Sequence, residues 1–191
     1  MKIFIDGSAG TTGLRIKDRL MKRSDVELIT LSEEQRKDTE SRKQALNSAQ
    51  VAFLCLPDAA AVEAVELVEN PDTVIIDTST AHRTSEGWAY GFPELSAEFE
   101  DKIKNSKRIA VPGCHAGGFI ALVYPLVEAG VLGNDALLSC YSLTGYSGGG
   151  KKMIAEYESE DKSPMLFAPR QYGLTQQHKH LKEMKGITGI E

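Results

Sequence analysis

Residues 2–13 read Lys2-Ile3-Phe4-Ile5-Asp6-Gly7-Ser8-Ala9-Gly10-Thr11-Thr12-Gly13, and most of the expected architecture follows from them. The apolar half predicts a strand, the glycines predict a turn, and the amphipathic run at 14–21 predicts a helix. Such glycines permit a tight turn and close approach of the backbone to a pyrophosphate, whose charge the helix N-terminus attracts. The spacing is G-x-x-G-x-x-G rather than the usual G-x-G-x-x-G. The turn predicts a cofactor site at Gly7, Ser8, Gly10, Thr11, Thr12 and Gly13.

Further strands alternate with helices along the next hundred residues. Apolar strand patterns lie at 26–31, 51–56, 74–77 and 108–111, and a helical pattern lies at 59–69. This alternation of strands and helices predicts a doubly wound α/β domain of the Rossmann type with a parallel sheet, over residues 1–113. Residues 114–191 are interpreted as the start of an α+β substrate domain. A domain of the same shape that binds nothing at its glycine turn is the alternative.

Composition excludes several classes of partner. The chain has 191 residues, a net charge of −5, 41% hydrophobic residues and 26% charged residues, as ordinary globular proteins do. The acidic balance argues against nucleic acid and anionic membranes as the main partner. No apolar run reaches the roughly 18 residues of a membrane span, and the N-terminus has no signal pattern, so a cytoplasmic location is expected. Three cysteines without metal-ligand spacing predict neither a disulfide framework nor a metal site.

Cys114 is the strongest candidate for a nucleophile. It lies in Val111-Pro112-Gly113-Cys114-His115, where a strand pattern gives way to a helical one. A thiol at a helix N-terminus faces unpaired backbone N–H groups and the positive end of the helix dipole, and both favour the reactive thiolate. A buried structural cysteine is the alternative. Cys55 and Cys140, in apolar surroundings, are interpreted as residues of strands in the core.

The ends of the second and third predicted strands offer further contacts for a cofactor. Ser32 with Arg36 or Lys37 suits the 2′-phosphate of NADP, although Glu33 and Glu34 keep NAD open. A solvated, charged helix start is the alternative. Leu56 and Pro57 follow the third strand and are also candidates for cofactor contact.

Two segments are candidates for anion binding. Ser79 and Arg83 follow the strand at 74–77, where an arginine can hold phosphate or carboxylate with two hydrogen bonds. A helix cap with a surface arginine is the alternative. The segment Ser147-Gly148-Gly149-Gly150-Lys151 combines a glycine-rich backbone with lysine, and a flexible loop is its alternative.

Four motifs together resemble the N-acetyl-γ-glutamyl-phosphate reductases of arginine biosynthesis. They are the Pro-Gly-Cys turn at Cys114, Asp77-Thr78-Ser79 with Arg83, the glycine-lysine segment at 147–151 and His178-Lys179-His180, in the family's order. The resemblance covers essentially the whole chain, and the glycine turn is similar to that of the family's shorter, second type. It implies a semialdehyde dehydrogenase architecture with a substrate and dimerisation domain. Family members extend well beyond residue 191, so the chain is expected to be a fragment.

The resemblance also implies the chemistry. Cys114 attacks the acyl carbon of the γ-glutamyl phosphate, phosphate leaves, and NADPH reduces the thioester to the semialdehyde. His180 is the favoured proton shuttle, with His178 as the other candidate, because imidazole titrates near neutral pH. Gly148 is expected at the cofactor, and the substrate contacts are expected at Ser79, Arg83, His115, Gly149 and Lys151. The partners are a small acyl phosphate, inorganic phosphate and further copies of the chain, as a dimer or tetramer.

Three other classes of protein are alternatives to this interpretation. An acyl-phosphate reductase of the aspartate-semialdehyde dehydrogenase type has the same architecture and chemistry. A non-catalytic NAD(P)-binding module would keep the glycine turn with an unreactive Cys114. A short-chain dehydrogenase requires Tyr-x-x-x-Lys, and none of the six tyrosines has a lysine four residues further on.

Overall fold

The computed structural model describes residues 1–171 and 173–191. These residues form six strands and seven α-helices, which alternate through residue 77, while the last three helices follow one another without a strand between them. Short 3₁₀ turns lie at 35–37, 93–95, 146–149 and 164–167. The elements are β1 (Lys2–Asp6), α1 (Thr11–Leu20), β2 (Glu27–Ile29), α2 (Thr39–Ser48), β3 (Val51–Leu54), α3 (Asp58–Glu66), β4 (Val74–Asp77), β5 (Ala89–Tyr90), α4 (Ala97–Asn105), β6 (Arg108–Ala110), α5 (Cys114–Glu128), α6 (Gly150–Glu158) and α7 (Lys179–Thr188).

The six strands form one parallel sheet in the order β2-β1-β3-β4-β6-β5. The chain leaves β1 toward one side to form β2 and then crosses to the other side of β1 to form β3. The strand order therefore reverses between β1 and β3, and ligands of doubly wound sheets bind at the carboxyl ends of strands where such a reversal occurs. The Gly7–Gly13 turn and the segment after Leu54 both lie at this point.

Two apolar clusters hold the elements together. The first lies between the sheet and α2 and α3, where Leu46, Leu54 and Ile75 are fully buried. The second joins the edge strand β5 to α5 through Tyr90, Ala116 and Ile120, and Met184 of α7 packs against it. Because α7 packs on the same cluster as α5, the two helices that carry the candidate catalytic residues form one unit with the sheet edge.

The predicted doubly wound sheet is confirmed, with strands one to three residues shorter than their sequence patterns at 26–31, 51–56 and 108–111. The two-residue edge strand β5 and helices α2 and α4 were not predicted. The prediction that Cys140 lies in a core strand is wrong: residues 136–145 contain no strand, and Cys140 is exposed. The apolar side chains around it are exposed as well, Leu137 fully and Tyr141 by 88%, because no described segment pairs with this stretch.

In the described part of the chain, none of the helices combines the length and the apolar character that crossing a membrane requires.

Candidate active site

The glycine turn after β1 is built by close contacts that only glycine permits. Gly7 has a φ of +81°, a left-handed conformation, and a methyl group there would collide with the carbonyl oxygen of Cys55. A methyl group on Gly13 would lie 2.5 Å from the carbonyl oxygen of Gly7. The amide of Gly10 closes the turn by donating to the same oxygen over 2.9 Å. The first and last glycines of the motif therefore bring β1, β3 and α1 into contact.

The turn leaves the start of α1 open to an anion. Gly10 is the N-cap and supplies no side-chain acceptor, and the first intrahelical bond runs from the amide of Leu14 to Gly10 over 2.9 Å. The N–H groups of Thr11 and Thr12 precede that bond and have no intrahelical acceptor. This arrangement fits the pyrophosphate of a dinucleotide.

A cleft beside this helix start brings two distant segments together. It is lined by Thr11 and Thr12 on one side and by Ser147 and Gly148 on the other, with Arg15 and Arg19 further along α1. Gly148 thus lies at the predicted cofactor turn despite a separation of more than one hundred residues. Two arginines make the walls of this cleft cationic.

A second cleft lies at the carboxyl end of β2. Its walls include Ser8 from the glycine turn, Lys17 from α1, Leu31, and the exposed Arg36. Lys17 was not singled out from the sequence, although its spacing from Gly13 places it one turn further along α1. Ser32 bonds with Gln35 in both directions, since its amide donates to Oε1 over 2.9 Å and its Oγ accepts from the amide over 3.2 Å. These hydrogen bonds agree with the alternative interpretation of this segment, in which Ser32 lies at the start of a helix.

The segment after β3 connects the glycine turn to α7. The side chain of Leu56 lies 3.2 Å from the position that a methyl group on Gly7 would take, and Pro57 is the N-cap of α3. Asp58 accepts hydrogen bonds from the amide and hydroxyl of Thr80, over 2.9 and 2.6 Å, and an ion pair joins it to Lys179 over 3.3 Å. Partial burial raises the pKa of Asp58, but these bonds outweigh it and the net pKa lies below its ordinary value.

Cys114 is the first residue of α5 and is exposed. Gly113 is the N-cap and offers no side-chain acceptor, and the amide of Gly117 makes the first intrahelical bond to Gly113 over 2.6 Å. The N–H groups ahead of that bond lie at the helix start beside the nucleophile, where they are donors for a developing oxyanion. By contrast, burial raises the pKa of the Cys55 thiol to about 11, so that Cys55 stays protonated at neutral pH.

Three histidines converge beside Cys114. The ring centroids of His178 and His180 are 4.5 Å apart, and the ring of His115 lies 6.3 Å from the former and 5.8 Å from the latter. His178 is the N-cap of α7 and His180 lies in its first turn, and Nδ1 of His178 accepts from the amide of His180 over 3.2 Å. His115 also bonds to Ser142 over 2.7 Å. Among the described residues, no group of three or more histidine, cysteine or carboxylate side chains is arranged to hold a metal ion.

The environment of His180 keeps its imidazole neutral. The residue is 7% exposed, and its buried Nδ1 has no hydrogen-bond partner among the described residues. Burial, the largest cause, lowers the pKa of His180 to about 4, and the charges of His178, Arg83 and His115 act in the same direction. Glu183 acts in the opposite direction. A neutral imidazole at pH 7 can accept a proton.

Ser79 and Arg83 are buried and bonded within the chain. The Ser79 hydroxyl donates to Asp77 over 2.7 Å, and the same Asp77 oxygen contacts His82 Nδ1 at 2.6 Å. His82 in turn stacks on Trp88 with the ring centroids 4.1 Å apart. The Arg83 guanidinium donates to the carbonyls of residues 111 and 78 and to Glu183. Arg83 is therefore not the surface arginine of the alternative, and each of its three guanidinium nitrogens already donates to an acceptor within the chain.

Glu183 is the residue of this region that sequence reasoning missed. It is 2% exposed, and its carboxylate accepts from Arg83 over 2.9 Å, from the Tyr90 hydroxyl over 2.7 Å and from the Gly113 amide over 2.7 Å. Its spacing of three residues from His180 places both on one face of a helix. This spacing from His180 was the only feature of the sequence that could have pointed to Glu183.

The segment at 147–151 does not form the flexible loop of the alternative. A 3₁₀ turn, Tyr146–Gly149, leads directly into α6, and Lys151 lies exposed in the first turn of that helix. A methyl group on Gly149 would lie 2.6 Å from the sulfur of Met153. The sequence-predicted residues thus form two groups, the cofactor turn with Gly148 and the cysteine–histidine cluster with Arg83.

A dinucleotide-binding α/β domain that leads into a helix carrying an exposed cysteine beside histidines defines a class of nicotinamide-dependent oxidoreductases. Family models agree: residues 2–105 match the semialdehyde dehydrogenase NAD binding domain, and residues 114–189 match the semialdehyde dehydrogenase dimerisation domain. The chain belongs to the semialdehyde dehydrogenase family. The first of these matches supports a nicotinamide cofactor.

Curated relatives confirm the resemblance read from the motifs. The chain is 52% identical over 184 residues to the N-acetyl-gamma-glutamyl-phosphate reductase of Chelativorans sp. (strain BNC1), covering 96% of this chain and 59% of the relative. It is 49% identical over 189 residues to the reductase of the same name from Mesorhizobium japonicum, covering 99% and 61%. The chain thus spans about three fifths of the length of these relatives.

Solved structures share the fold. Aspartate semialdehyde dehydrogenase II from Vibrio cholerae, in complex with ASA, superposes with a TM-score of 0.63 at 16% identity, over 98% of this chain and 66% of that one. The aspartate semialdehyde dehydrogenase from Francisella tularensis gives a TM-score of 0.61 at 16% identity, over 97% and 55%.

Proposed function

We propose that this chain carries the cofactor site and the nucleophile of an NADP-dependent N-acetyl-γ-glutamyl-phosphate reductase in arginine biosynthesis. The reaction reduces N-acetyl-γ-glutamyl phosphate to N-acetylglutamate semialdehyde and releases phosphate. The observation that carries the proposal is the exposed Cys114 at the start of α5, beside the buried neutral imidazole of His180. The identity to the curated reductases gives the substrate class.

Cys114 acts first. Its sulfur attacks the acyl carbon, a carbon–sulfur bond forms, and the bond to the phosphate oxygen breaks with its electron pair leaving on phosphate. The N–H groups at the start of α5 stabilise the negative charge on the acyl oxygen during this step. The product is a thioester on Cys114.

The nicotinamide cofactor, when bound at the glycine turn, supplies the hydride that reduces the acyl group. Histidine then completes the reaction: the alkoxide left by hydride addition takes a proton from water to become a hydroxyl, His180 accepts that hydroxyl proton, the carbon–sulfur bond breaks, and the sulfur leaves with the electron pair. The neutral state of His180 suits this proton acceptance. His178, whose pKa burial also lowers, lies 4.5 Å away by ring centroids and can relay the proton to solvent.

NADP rather than NAD is the proposed cofactor. The N–H groups at the start of α1 would hold the pyrophosphate, and Leu56 and Gly148 border the same turn. Pro57, the N-cap of α3, follows Leu56 directly. The cleft at the end of β2 contains two cations, Lys17 and Arg36, and these suit a 2′-phosphate.

The remaining assignments follow the same proposal. Substrate and phosphate contacts are proposed at Ser79, Arg83, His115, Gly149 and Lys151, with Arg83 already donating to three acceptors within the chain. We propose a division into a cofactor domain, 1–113, and a substrate domain, 114–191, with homo-oligomers formed through the second. Three free cysteines suit the reducing cytoplasm.

Phosphate-dependent oxidation of N-acetylglutamate semialdehyde tests the proposal directly. The full-length protein should form NADPH from NADP⁺ only when phosphate is present, and Cys114→Ser should abolish the rate while Cys140→Ser, at the other exposed cysteine, should preserve it. Activity on aspartate semialdehyde instead would favour the related class of reductase. NADPH binding without turnover, together with an unreactive Cys114, would favour a non-catalytic module.

A further inference from the structure

Glu183 joins three parts of the molecule whose relative positions must stay fixed for the proposed chemistry. It lies on α7, one turn after His180. Its Oε1 accepts from the Gly113 amide, immediately before Cys114, and from the hydroxyl of Tyr90 on the edge strand. Its Oε2 accepts from Arg83, which follows β4. One carboxylate thus contacts the nucleophile turn, the sheet edge and the helix of the proton acceptor.

The burial of this carboxylate indicates a specific arrangement. At 2% exposure a carboxylate loses its hydration, and only a paired charge and a full set of donors offset that loss. Arg83 supplies the charge, with both side chains less than 10% exposed, and Gly113 and Tyr90 supply the further donors. A carboxylate with partners on three separate segments fixes their relative positions far more narrowly than apolar packing does.

The space around Gly113 supports the same conclusion. A methyl group on Gly113 would lie 2.8 Å from Oε2 of Glu183 and 2.5 Å from Nε2 of His180. The turn before the nucleophile is therefore in direct contact with both the carboxylate and the imidazole. A displacement of the turn would move Cys114 relative to His180.

We propose that Glu183 is a positioning residue for the thioester chemistry: it holds the turn before Cys114 and the helix that carries His180 in a single reactive arrangement. The inference rests on the proposed function. Glu183 touches neither Cys114 nor the reacting atoms in this role, and it acts through the Gly113 amide. Its loss should lower the rate of chemistry while leaving cofactor affinity in place.

Glu183→Gln tests this in the full-length protein. Glutamine has the same size but cannot accept from Arg83 and Gly113 at once, since one of the two would face its NH₂ group. We expect kcat to fall by about 100-fold, the effect of misplacing reacting groups by roughly 1 Å. The Kd for NADPH should stay within about twofold of wild type, because the proposed cofactor contacts at the glycine turn do not involve Glu183.

Thr188→Ala is the matched control. Thr188 lies on the same helix and is 4% exposed, and its hydroxyl donates to the carbonyl of Met184 over 2.7 Å and accepts from the amide of Ile190 over 3.4 Å, both in its own segment. This variant should lower thermal stability while preserving kcat. A proportional loss of kcat in both variants would show that Glu183 only stabilises the fold and would overturn the inference.

Glu183→Asp covers the case in which the glutamine variant does not fold. Aspartate keeps the charge opposite Arg83 but is one methylene shorter, so it cannot reach both Arg83 and Gly113. We again expect a lower kcat with an unchanged Kd for NADPH. A wild-type kcat in this variant would overturn the inference about Glu183 but not the proposed function. A wild-type protein that lacks turnover would overturn the proposed function, and the inference with it.

Discussion

Gly113 and His180 approach so closely that a methyl group on Gly113 would lie 2.5 Å from Nε2 of the imidazole. An Nη atom of Arg83 lies at the same distance from that methyl position. The backbone φ of Gly113 is −70°, which any residue can adopt, so the glycine is required by space and not by conformation. We expect Gly113→Ala to destabilise the protein by about 1–3 kcal/mol, as overpacking does in a filled interior, measured by urea unfolding.

Gly118→Ala, in the helix that Gly113 caps, adds the same methyl group at a position with open space around it. Nothing lies within 4 Å of a methyl group built on Gly118, which is exposed in the second turn of α5. Alanine is the better helix former by about 1 kcal/mol, so this variant should be more stable than wild type. Equal stability of the two variants would contradict the crowding inferred around Gly113.

The buried His180 should make stability depend on pH. Its pKa falls from 6.5 to about 4 on folding, chiefly through burial. Between these values the unfolded chain binds the proton and the folded chain does not, so stability should decrease as the pH falls from 6.5 toward 4. The loss should approach about 3 kcal/mol at the lower end, since each tenfold difference in proton affinity between the two states corresponds to about 1.4 kcal/mol.

The measurement is urea unfolding of wild type and His180→Gln across this pH range. Other groups titrate in the same window, so the difference between the two proteins isolates the contribution of His180. The glutamine variant should show the shallower pH dependence. Parallel curves for the two proteins would mean that the imidazole keeps its ordinary affinity for protons in the folded state.

The glycine turn and the central strands could be predicted from the sequence because their signals are local. Gly7, Gly10 and Gly13 meet constraints within one strand–turn–helix unit and its neighbour, and the apolar runs of β1, β3 and β4 are buried in the sheet. Cys114 was found for the same reason, since a Pro-Gly pair before a helix is a local pattern. His180 was reached through a resemblance to a known family.

The contacts that assemble the site could not be predicted, because they join residues far apart in the chain. Glu183 bonds to Tyr90 and Gly113 across 93 and 70 residues, and no local pattern encodes such a pairing. The predicted strand at Cys140 failed for a related reason. Its apolar residues resemble a strand, but a strand forms only where a neighbour pairs with it, and no described segment does so.

Cofactor preference should depend on the two cations in the cleft at the end of β2. Lys17→Ala and Arg36→Ala each remove a positive charge near the proposed 2′-phosphate. We expect each variant to weaken NADPH binding by about tenfold, the equivalent of one lost charge-assisted bond of about 1.4 kcal/mol, and to leave NADH binding unchanged. Fluorescence titration with both nucleotides gives the ratio, and a ratio unaltered by both substitutions would place the 2′-phosphate elsewhere.

Arg42 stabilises the strand that leads into the cofactor turn. Its Nε and Nη2 donate to one oxygen of Asp6 over 3.1 and 3.0 Å, and the two side chains are only 12% and 6% exposed. Arg42→Leu would leave the Asp6 carboxylate buried without its cation, which costs about 3–5 kcal/mol, measured by urea unfolding. Because Asp6 immediately precedes Gly7, NADPH binding should weaken as well.

Arg23 offers the contrast for this last prediction, because it also pairs with an aspartate but at the surface. It donates to Asp25 over 2.6 Å, with 54% and 62% of the two side chains exposed. Water solvates both charges there, so Arg23→Leu should change stability far less and leave NADPH binding intact. A loss of stability as large for Arg23→Leu as for Arg42→Leu would mean that burial does not make the Arg42–Asp6 ion pair more stabilising than a surface pair. Unchanged NADPH binding in Arg42→Leu would mean that the cofactor turn does not depend on this pair.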